Sequence, residues 1–283
     1  MMTSQYNILD LSVPIEKNDG EISPFKLRTI SHEKGAKVFY RNLILRKKSS
    51  WVKKIYNLLL YFWGVRKINS STFPSNKFLN LEILTLSTHT GTHMDAPFHF
   101  GPCSQDQKAM TIEQLPLSWC FSDGVLLDLS KYTSEDDGIS LSNVLSVLKE
   151  INYQIKAFDI VLFKTGASEM WGSKNYFTKY PYLQPDVIEF FLNKQVKIIG
   201  IDTYSFDAPF QLMIDKYFKT KNKSVLWPNH FIGRSLPYFH IERLCNLDKI
   251  TSPTGFKVCC FPIKIANSGA SWVRTVAFLP SNN

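Results

Sequence analysis

Short apolar runs between polar turns constrain the fold of this chain more than any other feature of its sequence. The run at 196–202, VKIIGID, is almost continuously apolar, which is typical of a strand covered on both faces. Seven segments are predicted strands: 6–12, 81–87, 124–130, 159–165, 196–202, 256–265 and 272–279. Helices are predicted after Ser140, a candidate N-cap, and from Pro185. This alternation predicts the α/β class, with a mixed β-sheet core flanked by helices.

The cysteines and the N-terminus indicate a reducing compartment. The five cysteines are Cys103, Cys120, Cys245, Cys259 and Cys260. Their number is odd, no CxxC pair occurs, and neighbouring strand residues point to opposite faces, so a disulfide framework is not indicated. The first residues lack a basic segment followed by an apolar one, so no secretory signal is expected. We therefore expect buried, reduced thiols in a cytoplasmic protein.

The positive net charge is concentrated in one segment. The chain carries a formal charge of +9, and eleven basic residues but no acidic residue lie between Glu33 and Glu82. Subtracting eleven from +9 leaves −2 for the rest of the chain. A local basic segment does not amount to a basic surface, so a nucleic-acid partner is not expected.

Residues 41–68 form the apolar part of this basic segment. Their centre at 55–65 is strongly apolar, lies between basic flanks and is too short to span a bilayer. Two interpretations stay open. The segment is either an amphipathic helix at an anionic membrane surface or, as we favour, a lid or subunit-contact helix.

The stretch at 87–100, STHTGTHMDAPFHF, carries the chemistry. Four ionisable side chains fall within eleven residues: His89, His93, Asp95 and His99. Imidazoles clustered with a carboxylate are typical ligands of Zn²⁺, Mn²⁺ or Fe²⁺. Gly91 and Thr92 predict a turn that lets the first two rings face one point, and Pro97 stiffens the approach to the last histidine.

This stretch resembles the signature H-x-G-T-H-x-D-x-P-x-H of the cyclase family, which includes bacterial kynurenine formamidase and isatin hydrolase. Every position of the signature is present: His89, Gly91, Thr92, His93, Asp95, Pro97 and His99. The resemblance implies that the first two histidines and the aspartate bind metal and that His99 is the catalytic general acid/base. It also implies the swivelling β/β/α fold of kynurenine formamidase.

Later residues extend the resemblance. His230 and Glu242 have the twelve-residue separation of the histidine and glutamate that complete the metal site in two-metal members. The resemblance therefore implies a cofactor of one or two divalent ions, Zn²⁺ or Mn²⁺. Thr92 is a weaker candidate for contact with the substrate oxyanion. The family pattern assigns nothing to His240, which we expect to be structural or exposed.

The resemblance covers most of residues 7–279 but not about 37–78. We therefore expect a single domain at 1–283 with an insertion at about 37–78, which could alter substrate access. Family members resembling this chain are usually homodimers or homotetramers, so a homo-oligomer is expected here.

Metal-activated water would attack an amide, formamide, cyclic amide or lactone carbonyl of an aromatic or cyclic small molecule. No Gly-x-Ser-x-Gly elbow or phosphate-binding glycine pattern indicates another chemistry. Two alternatives remain. The same site could serve a biosynthetic cyclase or dehydratase, or the chain could be a non-catalytic, metal-stabilised binding protein that docks through 41–68.

Overall fold

The chain divides into two compact units. A computed structural model describes residues 6–18, 20–21, 24–44, 49–133 and 138–281. The larger unit comprises Met1–Ser23 and Ser87–Asn283, and the smaller unit comprises Pro24–Leu86. The smaller unit contains the whole of the segment predicted as an insertion at about 37–78.

The described residues form thirteen strands and eight α-helices. The strands are β1 Tyr6–Asp10, β2 Lys26–Ile30, β3 Leu81–Thr85, β4 His93–Asp95, β5 Cys103–Ser104, β6 Gln107–Lys108, β7 Phe121–Asp128, β8 Ile160–Lys164, β9 Ile198–Ile201, β10 Phe239–Glu242, β11 Phe256–Cys259, β12 Ala270–Trp272 and β13 Val276–Pro280. The helices are α1 His32–Ile44, α2 Trp51–Phe62, α3 Pro97–Phe100, α4 Leu141–Glu150, α5 Lys174–Thr178, α6 Pro185–Asn193, α7 Phe210–Thr220 and α8 Pro228–Ile232.

A nine-stranded mixed sheet organises the larger unit. Its strand order is β1-β13-β11-β7-β8-β9-β10-β4-β12. Neighbours from β7 to β10 are parallel, and the pairs on either side of this block are antiparallel. The predicted α/β class with a mixed sheet is confirmed. Because β9 and β10 are parallel, their carboxyl ends lie at one edge of the sheet.

Both faces of the central strands are buried, as the apolar runs predict. On β8, Val161 and Phe163 join one apolar core, while Ile160 and Leu162 join the other. This alternation follows from the two-residue period of a strand. The core that holds Phe163 also contains apolar side chains of α4 and α6, so these helices cover that face.

Both predicted helix starts are confirmed. The Ser140 hydroxyl accepts a hydrogen bond from the Asn143 backbone N–H and caps α4, and Pro185 is the first residue of α6. The strand predicted at 81–87 is confirmed over Leu81–Thr85, and it pairs with β2 in the smaller unit. Strand β2 was not predicted from the sequence, because only its last residue is buried and its pattern lacks an apolar face.

Helix α2 lies within the segment 41–68 and contains no buried residue. Trp51 and Phe62, at its two ends, are 73% and 78% exposed. The basic residues at 46–48 lie outside the described residues. None of the described helices is both long and apolar enough to cross a bilayer.

The expectation of buried thiols is only partly correct. All five cysteines are free, but only Cys120 and Cys260 are buried, and Cys103 is exposed. Cys103 lies in the two-residue strand β5, whose sequence context carries no apolar period that would reveal its exposure.

Candidate metal centre

A tight turn brings the first two histidines of the cluster together. Gly91 has φ +68°, a left-handed conformation that glycine adopts without steric cost. The rings of His89 and His93 are 4.9 Å apart between centroids. The predicted turn is therefore confirmed. Pro97 begins the short helix α3, which carries His99.

The antiparallel pairing of β4 with β10 places four polar side chains on one face of the sheet. Asp95 lies opposite His240, and His93 lies opposite Glu242. Alternate residues of a strand share a face, so both pairs point to the same side. Ile241, between the two polar residues of β10, points to the apolar core beneath.

The third side of the cluster comes from α8 and from the loop after β9. His230 of α8 has its Nδ1 2.5 Å from Asp207 Oδ2, and its Nε2 is 3.8 Å from both Asp95 Oδ2 and Glu242 Oε1. His93 is held in the same manner, with its Nδ1 2.9 Å from the Gly91 carbonyl oxygen. An acceptor at Nδ1 fixes the proton there and leaves Nε2 free to bind a metal.

Two atoms at the centre of the cluster are buried without a hydrogen-bond partner among the described residues. They are His93 Nε2 and Asp95 Oδ1, which lie 3.6 Å apart. Leaving such groups unpaired in the interior costs free energy, so an unpartnered pair marks a site built for another group. A lone pair and a carboxylate oxygen are both ligands for a divalent cation, and the residues present therefore fit one.

Two overlapping groups of side chains bring their ligand atoms within 4.8 Å of one another. One group is His89, Asp95 and His99; the other is Asp95, His230, His240 and Glu242. Asp95 belongs to both: Oδ1 is 3.0 Å from His89 Nδ1, at ion-pair distance but without hydrogen-bond alignment, and Oδ2 faces the second group. His93 belongs to neither group, but its Nε2 lies 3.6 Å from Asp95 Oδ1 and 3.5 Å from Glu242 Oε2, so all six predicted residues lie in one cluster.

Both carboxylates of the cluster are ionised at neutral pH. Burial alone would raise the pKa of Glu242, but His93, whose Nε2 lies 3.5 Å from Oε2, and the charges that His240 and His230 carry when protonated lower it to about 2. Burial opposes ionisation of Asp95 as well, but the charges that His99, His89 and His93 carry when protonated hold the pKa of this carboxyl well below its usual range. Ionised carboxylates are ready to bind a cation.

His230 holds its proton more strongly than an ordinary histidine. Burial would lower its pKa, but the hydrogen bond and charge of Asp207 outweigh burial and raise the pKa to about 9. In the metal-free protein both ring nitrogens of His230 are therefore protonated at neutral pH. A cation that binds at Nε2 has to displace the proton from that nitrogen.

His99 differs from the other cluster histidines in its greater exposure to solvent. Its side chain is 35% exposed, and its ring makes no hydrogen bond among the described residues. Partial burial is the largest cause lowering its pKa to about 4, with help from the neighbouring histidines. The backbone of Gly269 passes so close that an added Cβ would lie 3.0 Å from His99 Cα and N. The ring is thus neutral, positioned and open to solvent.

Thr92 lies beside the cluster, and its hydroxyl already makes two hydrogen bonds. The hydroxyl donates to the Arg243 carbonyl oxygen at 2.6 Å and accepts from the Val13 N–H at 2.9 Å. It would have to give up the first bond to donate to a substrate oxyanion. The geometry therefore favours a structural role, in which Thr92 fixes the start of β4.

His240 is the functional candidate that sequence reasoning missed. It is fully buried, so the alternative that it is exposed is wrong. Its Nε2 is 2.9 Å from Asp95 Oδ2, and burial lowers its pKa, which keeps the ring neutral. The spacing His-x-Glu at 240–242 was the available signal, because two residues apart on a strand share a face.

Comparisons with known proteins identify the family of this chain. A family model described as "Putative cyclase" matches residues 9–208. A kynurenine formamidase of Bacillus mycoides is 31% identical over 132 residues, which are 46% of this chain and 54% of that enzyme. The match thus spans about half the length of that relative. A kynurenine formamidase of Geobacillus thermodenitrificans is 27% identical over 69% of this chain and 78% of its own length.

A solved structure shares the fold. Isatin hydrolase A from Labrenzia aggregata, bound to benzyl benzoate, superposes with a TM-score of 0.68 at 19% identity, covering 98% of this chain and 95% of that one. At this identity the likeness establishes the fold alone. Since the family model spans more than half of the sequence and the fold agrees, the chain belongs to the cyclase family.

Proposed function

We propose that this protein is a metal-dependent hydrolase that cleaves an amide, formamide, cyclic amide or lactone. The observation that carries the proposal is the pair of buried, unpartnered ligand atoms, His93 Nε2 and Asp95 Oδ1, beside the free ring of His99. A non-catalytic binding protein would have no use for a neutral, solvent-open imidazole at the edge of a metal site.

The proposed ligands are His89, His93 and Asp95 for one cation, with His230 and Glu242 available for a second. Imidazole and carboxylate ligands suit Zn²⁺ or Mn²⁺. When bound, such an ion acts as a Lewis acid that acidifies water and polarises a carbonyl. The protein's part is to hold the ligand rings in the correct tautomer and to exclude water from the sheet side of the site.

His99 moves the proton. Its neutral ring accepts a proton from the attacking water and then delivers it to the leaving nitrogen or oxygen, as a general base and then a general acid. The Asp95 carboxylate, with Oδ2 3.8 Å from His99 Nε2, stabilises the protonated ring between the two transfers. The C–N bond breaks as the leaving nitrogen takes up that proton.

The relatives support the choice of substrate. Those enzymes are named kynurenine formamidase and isatin hydrolase, so we propose an aryl formamide or a cyclic amide, with N-formylkynurenine first among candidates. A small aromatic substrate fits a site whose solvent-open side carries two imidazole rings, His89 and His99.

Turnover should require a metal. Protein stripped with a chelator should hydrolyse none of N-formylkynurenine, isatin or simple lactones, and Zn²⁺ or Mn²⁺ should restore activity toward at least one of them. Mass spectrometry identifies the products, and elemental analysis gives the metal content of the protein. A product heavier by one water supports hydrolysis, whereas a product lighter by one water would replace it with the cyclase or dehydratase alternative.

His99→Ala should lower kcat by about 100- to 10,000-fold, because the proton then has no acceptor or donor. Metal content should stay at the wild-type value, since none of the proposed ligands is changed. His32→Ala is the matched control, because His32 is the one histidine outside the cluster. Wild-type turnover in metal-loaded His99→Ala protein would remove the acid/base assignment.

Metal binding should release a proton from His230. Well below about pH 9, the pKa of His230 in the metal-free protein, zinc should displace about one proton from this ring, and apparent affinity should rise with pH until about 9. Calorimetric titrations in buffers of different ionisation enthalpy measure the release. Asp207→Asn removes the charge that holds the proton, so its proton release near neutral pH should be smaller; an unchanged value would contradict the proposed ligand role.

We also propose that the apolar face of α2 forms contacts between subunits of a homodimer or homotetramer. Trp51, Ile55, Leu59 and Phe62 recur at helical spacing, and all four are exposed. Monomeric proteins rarely leave such a stripe uncovered. Both the homo-oligomer and the expected cytoplasmic location remain predictions.

The double variant Ile55→Glu with Leu59→Glu should convert the oligomer to monomer in light scattering after size-exclusion chromatography, because charge cannot be buried in an apolar contact. The matched control, Lys53→Glu with Lys54→Glu, should leave the oligomer intact. Loss of wild-type binding to anionic vesicles in the lysine variant, with a monomeric wild type, would instead favour the membrane-surface interpretation.

A further inference from the structure

His240 occupies a position in the cluster that the family motif does not explain. It lies directly opposite Asp95 in the β4–β10 pairing and two residues before Glu242 on the same face. Its ring stacks on Phe206 at 4.7 Å between centroids and contacts Phe100 at 5.1 Å. These rings fill the space around a fully buried imidazole, so its polar atoms have to find partners within the cluster.

Each ring nitrogen of His240 has a hydrogen-bond partner: Tyr238 at Nδ1 and Asp95 at Nε2. Tyr238 donates its hydroxyl hydrogen to the Asn229 carbonyl oxygen at 2.8 Å, so its oxygen is left as an acceptor. This oxygen lies 3.3 Å from His240 Nδ1. Without a cation, Nε2–H can donate to the Asp95 carboxylate. With a cation among the carboxylates, the neutral ring carries its one proton on Nδ1, donates it to Tyr238 and keeps its lone pair on Nε2.

With the proton on Nδ1, the lone pair of His240 Nε2 faces two carboxylate oxygens. His240 Nε2 is 2.9 Å from Asp95 Oδ2 and 3.5 Å from Glu242 Oε1, and both carboxylates are ionised. A lone pair aimed at two anionic oxygens in the interior is unfavourable unless a cation lies among them. The same arrangement, with a protonated Nδ1 held by an outer partner, is found for histidines that bind metal.

The spacing of the ligand atoms fits a single cation. Asp95, His230, His240 and Glu242 each bring one ligand atom within 4.8 Å of the others. The separations from either carboxylate oxygen to the two ring nitrogens run from 2.9 to 3.8 Å. Two ligands bound at about 2.1 Å to one tetrahedral ion lie about 3.4 Å apart, which is the middle of this range.

We propose that His240 is the fourth protein ligand of a second cation, which it binds together with Asp95, His230 and Glu242. This inference rests on the proposed metal-dependent hydrolase. Four protein ligands close a zinc site, whereas three leave a position for water and substrate. The second site is therefore closed and tight, and the first, with His89, His93 and Asp95, is open and exchanges its ion more readily.

A positioning role is the competing interpretation of the same contact. In that case His240 carries its proton on Nε2, donates it to Asp95 Oδ2 and orients the carboxylate. Glutamine separates the two roles, because its amide nitrogen can still donate near the Nε2 position but cannot bind zinc. Leucine fills a similar volume and can do neither.

The test compares zinc binding in the wild type, His240→Gln, His240→Leu and the control His32→Gln. Competition with a chromophoric chelator gives the affinities, and elemental analysis gives the number of ions. The wild type and the control should bind two zinc ions of unequal affinity. Both His240 variants should lose at least about 100-fold in affinity at the tighter site. Wild-type affinity in His240→Gln, with or without a loss in His240→Leu, would overturn the ligand assignment.

A second measurement needs no variant and covers the case in which a substituted core does not fold. In zinc-loaded wild type labelled with ¹⁵N-histidine, His240 should show a protonated Nδ1 and a metal-shifted Nε2. A protonated Nε2 would overturn the inference. The inference and the proposed function fail separately: two tightly bound ions without turnover remove the hydrolase and leave the ligand, whereas turnover with wild-type affinity in His240→Gln removes only the ligand.

Discussion

The pairing of β4 with β10 is the constraint on which the site depends. Strand β4 has only three residues, yet it pairs with β10 on one side and β12 on the other, so its register is fixed from both sides. A slip by one residue would turn His93 and Asp95 into the apolar core and Met94 into the site. The backbone N–H of Ala96 continues the pairing by donating to Gly269 at 2.8 Å.

This register forces charge into the interior of the protein. Asp95 and Glu242 are buried and ionised, and a buried carboxylate is costly unless hydrogen bonds or opposite charges compensate it. Five of the six histidines of the chain surround the two carboxylates. The compensation is incomplete, since one oxygen of Asp95 and the Nε2 of His93 lack partners among the described residues. The cluster therefore has the charge and the free lone pairs that a divalent cation requires.

The sequence predicts the local part of this site well and the long-range part less well. His89, His93, Asp95 and His99 lie within eleven residues, so a turn and one short strand suffice to bring them together. His230 and Glu242 were found only through the spacing of a related family. Their approach depends on the parallel pairing of β10 with β9 and on the loop that supplies Asp207, which local patterns do not specify.

His240 shows why burial is difficult to predict from sequence. Phe-His-Ile-Glu at 239–242 alternates polar and apolar residues, and such a pattern is typical of a strand with one solvent face. Here the polar face is buried because it lies against Asp95 of a neighbouring strand rather than against water. Alternation identifies the shared face of His240 and Glu242, but only the sheet order determines what that face meets.

The exposed fractions of the cluster side chains indicate from which side a substrate can reach the site. The side chains of His93, Asp95, His230, His240 and Glu242 are at most 8% exposed, whereas those of His89 and His99 are 28% and 35% exposed. Among the described side chains of the cluster, those of His89 and His99 are therefore the ones that a substrate and its water can reach. Phe206 and Phe100 pack against His240 and close its side of the cluster toward the apolar core. A fourth protein ligand belongs on this closed side, because no substrate could use a position left open there.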